Sequence, residues 1–436
     1  MADFARSESP AVQAQLDRLS KLSPAGDRLG LERISELLDR LGRPQDRLPP
    51  VIHVAGTNGK GSTCAFLRAI LEAAGLRVHV FTSPHLVRFN ERIRIAGDLI
   101  GDEELSQLLE RVLGVGADIQ ASFFEVTTAV ALLAFAETPA DACILEVGLG
   151  GRLDATNVIE HPLVCAIAGL GIDHTNWLGR SLAEIAGEKA GIAKGGVPLV
   201  TQRYPPQAAQ RVQQVAEKAG ALWIARGALW DSRVIRDRIR YQDRHGRLDL
   251  PQPRLPGRHQ ADNAALAAAV LRHQDQLRVS PEAIAEGIQA ASWPARLQKL
   301  ETGLLVDQLP RGGELWVDGA HNGAAAREIA DYASRHWGGA LPLVLIFAAL
   351  KTKDPKSLLR PFAGMASAVH ALPIPAHESR LPEDLANLAA ELGFEATANH
   401  DLYEALRRIG EPARVMVFGS LYLAGQALQA NGTIPD

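Results

Sequence analysis

Runs of apolar residues alternate along the first part of the chain with segments of helical periodicity. Apolar residues between positions 62 and 74 recur at the three- and four-residue spacing of one helix face. Four runs are almost continuously apolar, as expected of strands buried on both faces: residues 50–55, 78–82, 142–147 and 163–169. A strand, a helix and a further strand in this order indicate a β-α-β unit with parallel strands. The pattern therefore predicts an α/β fold.

A second set of apolar runs begins near residue 299 and predicts a second α/β domain. The segment 293–303 has weaker periodicity and contains Pro294 and Gly303, as is typical of a linker. We therefore expect a larger N-terminal P-loop domain with a mostly parallel sheet at residues 1–297 and a smaller C-terminal α/β domain at 298–436. The expected strands of the second domain are residues 315–318, 342–347, 368–372 and 415–418.

Residues 232–250 show a different pattern, because charged and apolar residues alternate there. Ile239 and Tyr241 stand among charged neighbours, and His245 with Gly246 marks a turn. The pattern predicts a hairpin with one face in water.

The composition is that of a globular protein and excludes several functional classes. Hydrophobic residues make up 47% of the 436 positions and charged residues 22%. The formal net charge of −4 gives no overall positive field for nucleic acid. The longest apolar run, residues 341–350, is too short to span a bilayer, and the first ten residues lack a signal core. Cys64, Cys143 and Cys165 lie in apolar stretches without a C-x-x-C pair, which indicates reduced thiols and a cytoplasmic location.

The motif G-T-N-G-K-G-S, residues 56–62, lies between a predicted strand and a predicted helix. Glycines let backbone N–H groups turn towards phosphate oxygens, and a helix N-terminus favours negative charge. Lys60 would then contact nucleotide phosphates and Ser62 a metal ion. The match to the standard P-loop is imperfect, because Val54 replaces its first glycine and Gly61 separates the lysine from the hydroxyl. The alternative is a glycine-rich turn with an incidental lysine.

Other chemically important residues follow predicted strands, where open α/β sheets bind ligands. Glu146 and Ser83 end two such strands, and their oxygens suit Mg²⁺. Asp173 and His174 follow another strand, where a structural histidine is the alternative. Lys189 lies on a helix that begins with a capping-box sequence at residue 181, and by itself it would be a solvated cation.

The phosphate loop and seven further motifs together resemble the Mur-ligase superfamily, and within it the folylpolyglutamate synthases and dihydrofolate synthases. The stretch R-L-D-A-T-N resembles the bifunctional bacterial enzymes in particular. The motifs occur in the family's order: T-S-P-H-L (82–86), F-N-E-R-I (89–93), L-E-V-G-L-G-G-R-L-D-A-T-N (145–157), D-H-T-N-W-L-G (173–179), E-K-A-G-I (188–192), P-G-R-H-Q-A-D-N-A (256–264) and D-G-A-H-N (318–322).

This resemblance implies sites for ATP, two magnesium ions and a pterin. It gives catalytic roles to Lys60, Lys189 and His321, with Lys189 carbamylated by CO₂. It also allows a monovalent cation. For Arg296, which by itself would be a solvated charge in the linker, the resemblance implies a contact with nucleotide phosphate. The implied nucleotide contacts are Gly56, Thr57, Asn58, Gly59, Lys60, Gly61, Ser62, Asn263, Arg296 and Asp318. The implied metal ligands are Ser62, Ser83, Glu146 and His174, and the implied pterin contacts are Phe124, Asp154 and Ala155.

The implied activity is an ATP-dependent carbon–nitrogen ligation. The expected substrates are ATP, L-glutamate and either dihydropteroate or tetrahydrofolate, joined through an acyl phosphate. Residues 23–30 match the family only loosely, so extension of folylpolyglutamates alone is the alternative. A cell-wall ligase is disfavoured by G-K-G-S in place of G-K-T, and a regulatory switch by the second domain. We expect a cytoplasmic monomer without nucleic-acid or membrane partners.

Overall fold

The computed structural model describes residues 7–22 and 29–436. In that part of the chain, the strands form sheets of eight, three and six strands. The described residues separate into two compact units. The first unit runs up to His85 and includes Phe89–Arg254 and His259–Ser292, and the second includes Leu86–Arg88, Leu255–Arg258 and Trp293–Asp436. No helix within the described ranges is long and apolar enough to cross a membrane.

The large sheet forms the centre of the first unit. Its order is β4-β3-β2-β5-β1-β6-β7-β8, and all pairs from β2 to β8 are parallel. The strands are β1 Val51–Ala55, β2 Val78–Phe81, β3 Ile93–Ile95, β4 Asp98–Leu99, β5 Ala142–Glu146, β6 Val164–Ile167, β7 Pro198–Thr201 and β8 Leu222–Ala225. Every residue of β1, β2, β5 and β6 is buried, which explains their continuous apolar runs.

The helices of the first unit cover this sheet. Helix α5 is mostly apolar, and twelve of its fifteen residues are buried. The helices are α1 Pro10–Leu22, α2 Glu32–Arg40, α3 Lys60–Ala73, α4 Asp102–Val115, α5 Phe123–Glu137, α6 Thr175–Leu178, α7 Leu182–Ala190, α8 Pro206–Ala219, α9 Arg258–Arg272 and α10 Pro281–Ala290. Short 3₁₀ helices lie at Pro44–Arg47, Phe89–Arg92 and Ala155–Val158.

A small antiparallel sheet follows the large one along the chain. Its strands are β9 Trp230–Ile235, β10 Arg238–Asp243 and β11 Gly246–Pro251. The predicted hairpin is thus part of a three-stranded meander in this described segment, because a second turn lies at Arg236 and Asp237, which both have positive φ. Its buried side chains include Ile239 and Tyr241, as the alternating pattern indicated.

The second unit is a smaller α/β assembly with sheet order β12-β13-β17-β14-β15-β16. Its strands are β12 Gln298–Leu300, β13 Glu314–Val317, β14 Leu343–Phe347, β15 Ala366–Ala371, β16 Glu395–Ala398 and β17 Arg414–Phe418. Its helices are α11 Gly323–His336, α12 Pro355–Leu359, α13 Pro382–Glu391, α14 Leu402–Arg407 and α15 Leu421–Asn431, with 3₁₀ helices at Val306–Gln308 and Arg360–Phe362. The predicted fold class, a mostly parallel P-loop-type sheet with a smaller α/β domain, is confirmed.

Candidate active site

The carboxyl ends of four neighbouring strands carry most of the predicted site residues. Strands β2, β5, β1 and β6 are adjacent and parallel, so the loops that follow them start from one edge of the sheet. The loop after β1 leads into Lys60, the first residue of α3. The loops after β2 and β6 contain Ser83 and His174, and Glu146 is the last residue of β5. Residues far apart in sequence are therefore gathered at the edge where open α/β sheets bind ligands.

The phosphate loop is held in shape by backbone contacts to the end of β6. The N–H groups of Thr57 and Asn58 donate to Gly169 O at 2.8 and 3.1 Å. Gly56 packs so closely that a Cβ atom there would lie 3.0 Å from Ala168 Cβ. Thr63 N and Oγ1 donate to Gly59 O at 2.9 and 2.8 Å and so fix the first turn of α3. The loop conformation is thus set by the fold.

Gly59 has a special position because Asn263, on α9, packs against it. Gly59 has φ +84°, in the left-handed region that favours glycine. A Cβ atom there would be 2.5 Å from Asn263 Oδ1. This contact brings together two residues predicted to bind the nucleotide, which are separated by about two hundred positions of sequence.

Glu146 lies between Lys60 and Ser83. Lys60 Nζ is 4.0 Å from Glu146 Oε1, and Ser83 N donates to Glu146 Oε2 at 3.2 Å. The Glu146 side chain is 6% exposed and that of Lys60 is 16% exposed, so their attraction is only weakly screened by water. Ser62, at the start of α3, is buried. The arrangement offers a carboxylate and two hydroxyl groups beside the phosphate loop.

His174 stands at the N-terminus of α6 in a left-handed conformation, with φ +51°. Asp173 Oδ1 accepts the His174 N–H at 2.8 Å and lies 4.0 Å from His174 Nε2. Asp173 is buried, while the His174 side chain is 31% exposed. The aspartate therefore orients the backbone at His174 and leaves part of the imidazole accessible.

Lys189 is a buried lysine at the end of α7. The predicted capping box is present, since Ser181 Oγ accepts from Glu184 N and the Glu184 carboxylate accepts from Ser181 N. Lys189 is 4% exposed, and burial, together with repulsion from Lys60, lowers its pKa to about 7. Asp173 and Asp154 act in the opposite direction. The interpretation as a solvated surface lysine is wrong, and the amine is available in its neutral form near neutral pH.

Asp154 is engaged by its own loop. Its Oδ2 accepts from Leu149 N at 2.8 Å, and its Oδ1 accepts from Thr156 N at 3.0 Å and Thr156 Oγ1 at 2.5 Å. Burial raises its pKa. Thr156 Oγ1 is also 2.8 Å from His53 Nε2 on β1. No local sequence pattern indicated the contact between Thr156 and His53, because it joins buried residues that are far apart in the chain.

Phe124 and Ala155 are the other two residues predicted to contact the pterin. Phe124 occupies the first turn of α5, packs at 5.9 Å from Phe81, and lies so close to Gly148 that a side chain there would collide with its ring. Ala155 is buried at the start of the 3₁₀ helix that α5 contacts. An aromatic ring thus borders the glycine-rich loop after β5.

In the second unit, Asp318 organises the segment that carries Arg296. Its Oδ2 accepts from Leu297 N and its Oδ1 from Ala320 N, both at 2.7 Å. Arg296 Nη1 donates to Ala295 O at 2.8 Å. His321 Nδ1 lies 3.0 Å from Gly319 O. Asp318 therefore joins the turn after β13, which carries His321, to the segment before β12, which carries Arg296.

The oxygen groups at the sheet edge fit a magnesium ion better than a transition metal. Among the described residues, no three His, Cys, Asp or Glu side chains form a cluster able to hold a metal. Magnesium usually binds through one or two carboxylates together with substrate phosphates, and needs no such cluster. The buried Glu146 carboxylate, which accepts from Ser83 N beside the phosphate loop, matches that requirement.

Comparisons with known proteins agree with this geometry. Residues 305–430 match the family model of the dihydrofolate synthetase C-terminal domain. The dihydrofolate synthase/folylpolyglutamate synthase of Bacillus subtilis (strain 168) is 36% identical over 419 residues, which cover 91% of this chain and 94% of that protein.

Two solved structures are also similar over almost the whole chain. E. coli FolC in complex with DHPP and ADP has a TM-score of 0.86 and 32% identity, covering 97% of both chains. A bifunctional folylpolyglutamate synthase/dihydrofolate synthase with Mn, AMPPNP and L-glutamate bound has a TM-score of 0.84 and 34% identity, covering 97% of this chain and 98% of that one. This chain therefore belongs to the dihydrofolate synthase/folylpolyglutamate synthase family of ATP-dependent ligases.

Proposed function

We propose that the protein joins L-glutamate both to dihydropteroate and to folyl(poly)glutamates. The observation that carries the proposal is the phosphate loop, with Lys60 4.0 Å from the buried Glu146 at the edge of the large sheet. This places a cation and a carboxylate where a phosphoryl group is bound in P-loop enzymes. The similarity to proteins that hold ADP, DHPP and L-glutamate supports the same substrates here.

The reaction needs ATP because a carboxylate has no good leaving group. The pterin-linked carboxylate attacks the γ-phosphorus of ATP, and the bond to ADP breaks, which leaves an acyl phosphate. The amine of glutamate then attacks the acyl carbon, loses a proton, and expels inorganic phosphate. Lys60 and Arg296 are assigned to the negative charge on the transferred phosphoryl group, where fixed cations stabilise the transition state.

Two divalent cations are assigned to the oxygen groups around the phosphate loop. Ser62, Ser83 and Glu146 would hold one, and His174 would contribute to the second; the manganese in a similar solved structure supports a divalent metal. When bound, these ions neutralise the phosphate charge. The partly exposed imidazole of His174, beside the buried Asp173, supports this assignment because a metal ion can reach it.

Lys189 is assigned as a carbamate formed with CO₂. Only a neutral amine attacks CO₂, and the burial that brings the Lys189 pKa to about 7 favours this form. The ammonium first loses a proton. The neutral nitrogen then bonds to the carbon of CO₂ as one C–O π bond opens to the carboxylate, and the nitrogen loses a second proton, so a cation becomes an anion. Such an anion is compatible with the divalent cations assigned here, and a monovalent cation is assigned as a further cofactor.

Phe124, Asp154 and Ala155 are assigned to the pterin. The ring of Phe124 borders the glycine-rich loop, and Asp154 lies in that loop with a second lone pair on Oδ2 available beside its contact with Leu149. Of the loosely matching stretch 23–30, residues 23–28 lie outside the described residues, so the dihydropteroate activity is proposed on the other contacts.

The remaining assignments follow the family. Asn263 is assigned to the adenine of the nucleotide, Asp318 to the nucleotide and His321 to phosphate. Residues 1–297 are assigned as the ATP-binding domain and 298–436 as the ligase domain. We also propose a monomer, free of nucleic-acid and membrane partners. A cytoplasmic location is supported by the three free, buried cysteines.

ADP release tests the proposal. It should occur with dihydropteroate or tetrahydrofolate and depend on glutamate with each. If glutamate-dependent release occurs with tetrahydrofolate and not with dihydropteroate, only the chain-extending activity remains. Release that does not depend on glutamate would contradict ligation. A P-loop switch would give the latter result.

A further inference from the structure

A pair of buried amides lies beside the phosphate loop, on the first turns of α9. Asn263 Nδ2 donates a hydrogen bond of 3.1 Å to Gln260 Oε1. Gln260 is fully buried and Asn263 is 5% exposed. A Cβ atom on Gly59 would be 2.5 Å from Asn263 Oδ1 and 3.2 Å from its Nδ2. The oxygen of Asn263 is therefore the amide atom nearer to the loop.

Gln260 carries an unusual feature for a side chain in such a position. Across the described ranges, its Nε2 is one of the buried polar atoms without a hydrogen-bond partner. A buried donor without an acceptor destabilises a fold, and an apolar side chain of similar length would avoid this penalty. Packing therefore does not explain a glutamine here. What glutamine adds is a carbonyl oxygen that accepts from Asn263.

The backbone around Asn263 is held by other residues. Gln202 Nε2 donates to Asp262 O at 2.7 Å, and Arg226 Nη1 donates to Asp262 Oδ1 at 2.7 Å. Arg226 Nη1 also donates to Gln202 Oε1 at 2.9 Å. These contacts fix the first turn of α9 to the ends of β7 and β8. What remains for Gln260 to control is the orientation of the Asn263 amide.

We propose that Gln260 is a positioning residue that sets nucleobase specificity by fixing the orientation of the Asn263 amide. The inference rests on the proposed contact between Asn263 and adenine. With one N–H held by Gln260, Asn263 keeps its oxygen and a second N–H for the base. An acceptor and a donor side by side match the 6-amino group and N7 of adenine. A flipped amide would direct an N–H at the 6-amino group and remove the preference for 6-amino over 6-oxo purines.

The test is calorimetric titration of the full chain with ATP and with ITP, which carries a 6-oxo group. We expect the wild type to bind ATP more tightly. Gln260→Met should reduce the ratio of the dissociation constant for ITP to that for ATP about tenfold, which corresponds to about 1.4 kcal/mol. Gln260→Glu should keep the ratio, because its carboxylate accepts the same hydrogen bond. Gln260→Leu is a second apolar variant and should reduce the ratio in the same way.

Gln274 provides a matched control beyond the other end of α9. Its Nε2 donates to Leu271 O and Leu277 O, and its Oε1 accepts from Gln276 N and Leu277 N. Gln274→Met should lower the melting temperature and leave the nucleotide ratio unchanged.

Several results would overturn the inference. They are a folded Gln260→Met with the wild-type ratio, a Gln260→Glu that loses the preference, or a wild type that binds both nucleotides equally. Unchanged ATP affinity in Asn263→Ala would show that Asn263 does not contact adenine, and the inference would then fail. A Gln260-dependent preference in a protein that shows no glutamate-dependent turnover would contradict the proposed reaction and support the inference.

Discussion

At the scale of single residues, Lys60 is the cation of the phosphate loop. We expect Lys60→Ala to lower kcat by about a hundredfold or more, on the order of 3 kcal/mol, because it removes a charge that stabilises the transferred phosphoryl group. The measurement is steady-state ADP release, with circular dichroism to verify the fold. Lys218→Ala, at an exposed position on α8, is the control and should change little. A folded Lys60→Ala variant with near-normal kcat would refute the assignment.

Asp154 is expected to serve the dihydropteroate reaction more than chain extension. Asp154→Ala should reduce kcat/KM for dihydropteroate at least about tenfold more than for tetrahydrofolate, because a carboxylate can accept hydrogen bonds from pterin N–H groups. Thr156→Val is the control, since it removes one of the hydrogen bonds to the Asp154 carboxylate and keeps that carboxylate. It should affect both acceptors alike. Equal losses in Asp154→Ala would point to a structural role for the aspartate.

Lys189 should make the activity dependent on CO₂ and on pH. The pKa of about 7 means that the neutral amine dominates above pH 7 and falls about tenfold per pH unit well below it. At a fixed concentration of dissolved CO₂, the rate of reactivation after CO₂ removal should therefore rise with pH and level off above 7. Stopped assays after re-addition of CO₂ measure that rate. A rate independent of pH between 6 and 8 would contradict the assignment.

Variants of Lys189 test the same modification by a second route. Lys189→Ala should lose most activity and regain part of it with acetate, whose carboxylate fills the vacated space. Lys189→Arg should stay inactive, because a guanidinium keeps its charge and cannot form a carbamate. Mass analysis of gently handled protein should find the added CO₂. Unmodified Lys189 in a fully active enzyme equilibrated with bicarbonate would exclude the carbamate.

At the scale of elements, the turn between β1 and α3 allows only glycine at position 59. Gly59→Ala should weaken ATP binding at least about tenfold, because it adds a collision with Asn263 to the strain of a positive φ. Gly75→Ala is matched to it, since Gly75 follows the same helix with φ +80° and has no atom within 4 Å of a built Cβ. This control should cost about 1 kcal/mol of stability and leave ATP binding intact. Equal ATP affinities in both variants would contradict the account.

The pattern of apolar residues predicted those elements that are buried on both faces. The expected runs at 50–55 and 142–147 correspond to β1 and β5 within a residue or two at each end. The pattern did not predict β12, because it has only three residues and lies in the segment interpreted as a linker. It also missed β3 and β4, which are too short for a periodicity to develop.

At the scale of the whole molecule, the sequence indicated which residues meet at the sheet edge and missed what holds them there. Glu146 and Ser83 were predicted because strand ends in parallel sheets converge. The contact of Thr156 with His53 and that of Asn263 with Gly59 depend on which elements pack together, and local patterns do not contain that information. Residues 86–88 and 255–258 belong to the second unit, an assignment that also depends on contacts between residues far apart in the chain.

The proposed reaction depends on one step above all, in which a pterin-linked carboxylate becomes an acyl phosphate before glutamate attacks. The most direct measurement uses dihydropteroate with ¹⁸O in its carboxylate, together with ATP and glutamate. We predict that each turnover transfers one ¹⁸O atom to inorganic phosphate, because the carboxylate oxygen that attacks phosphorus leaves with the phosphate. Unlabelled phosphate formed alongside the glutamylated product would contradict the account.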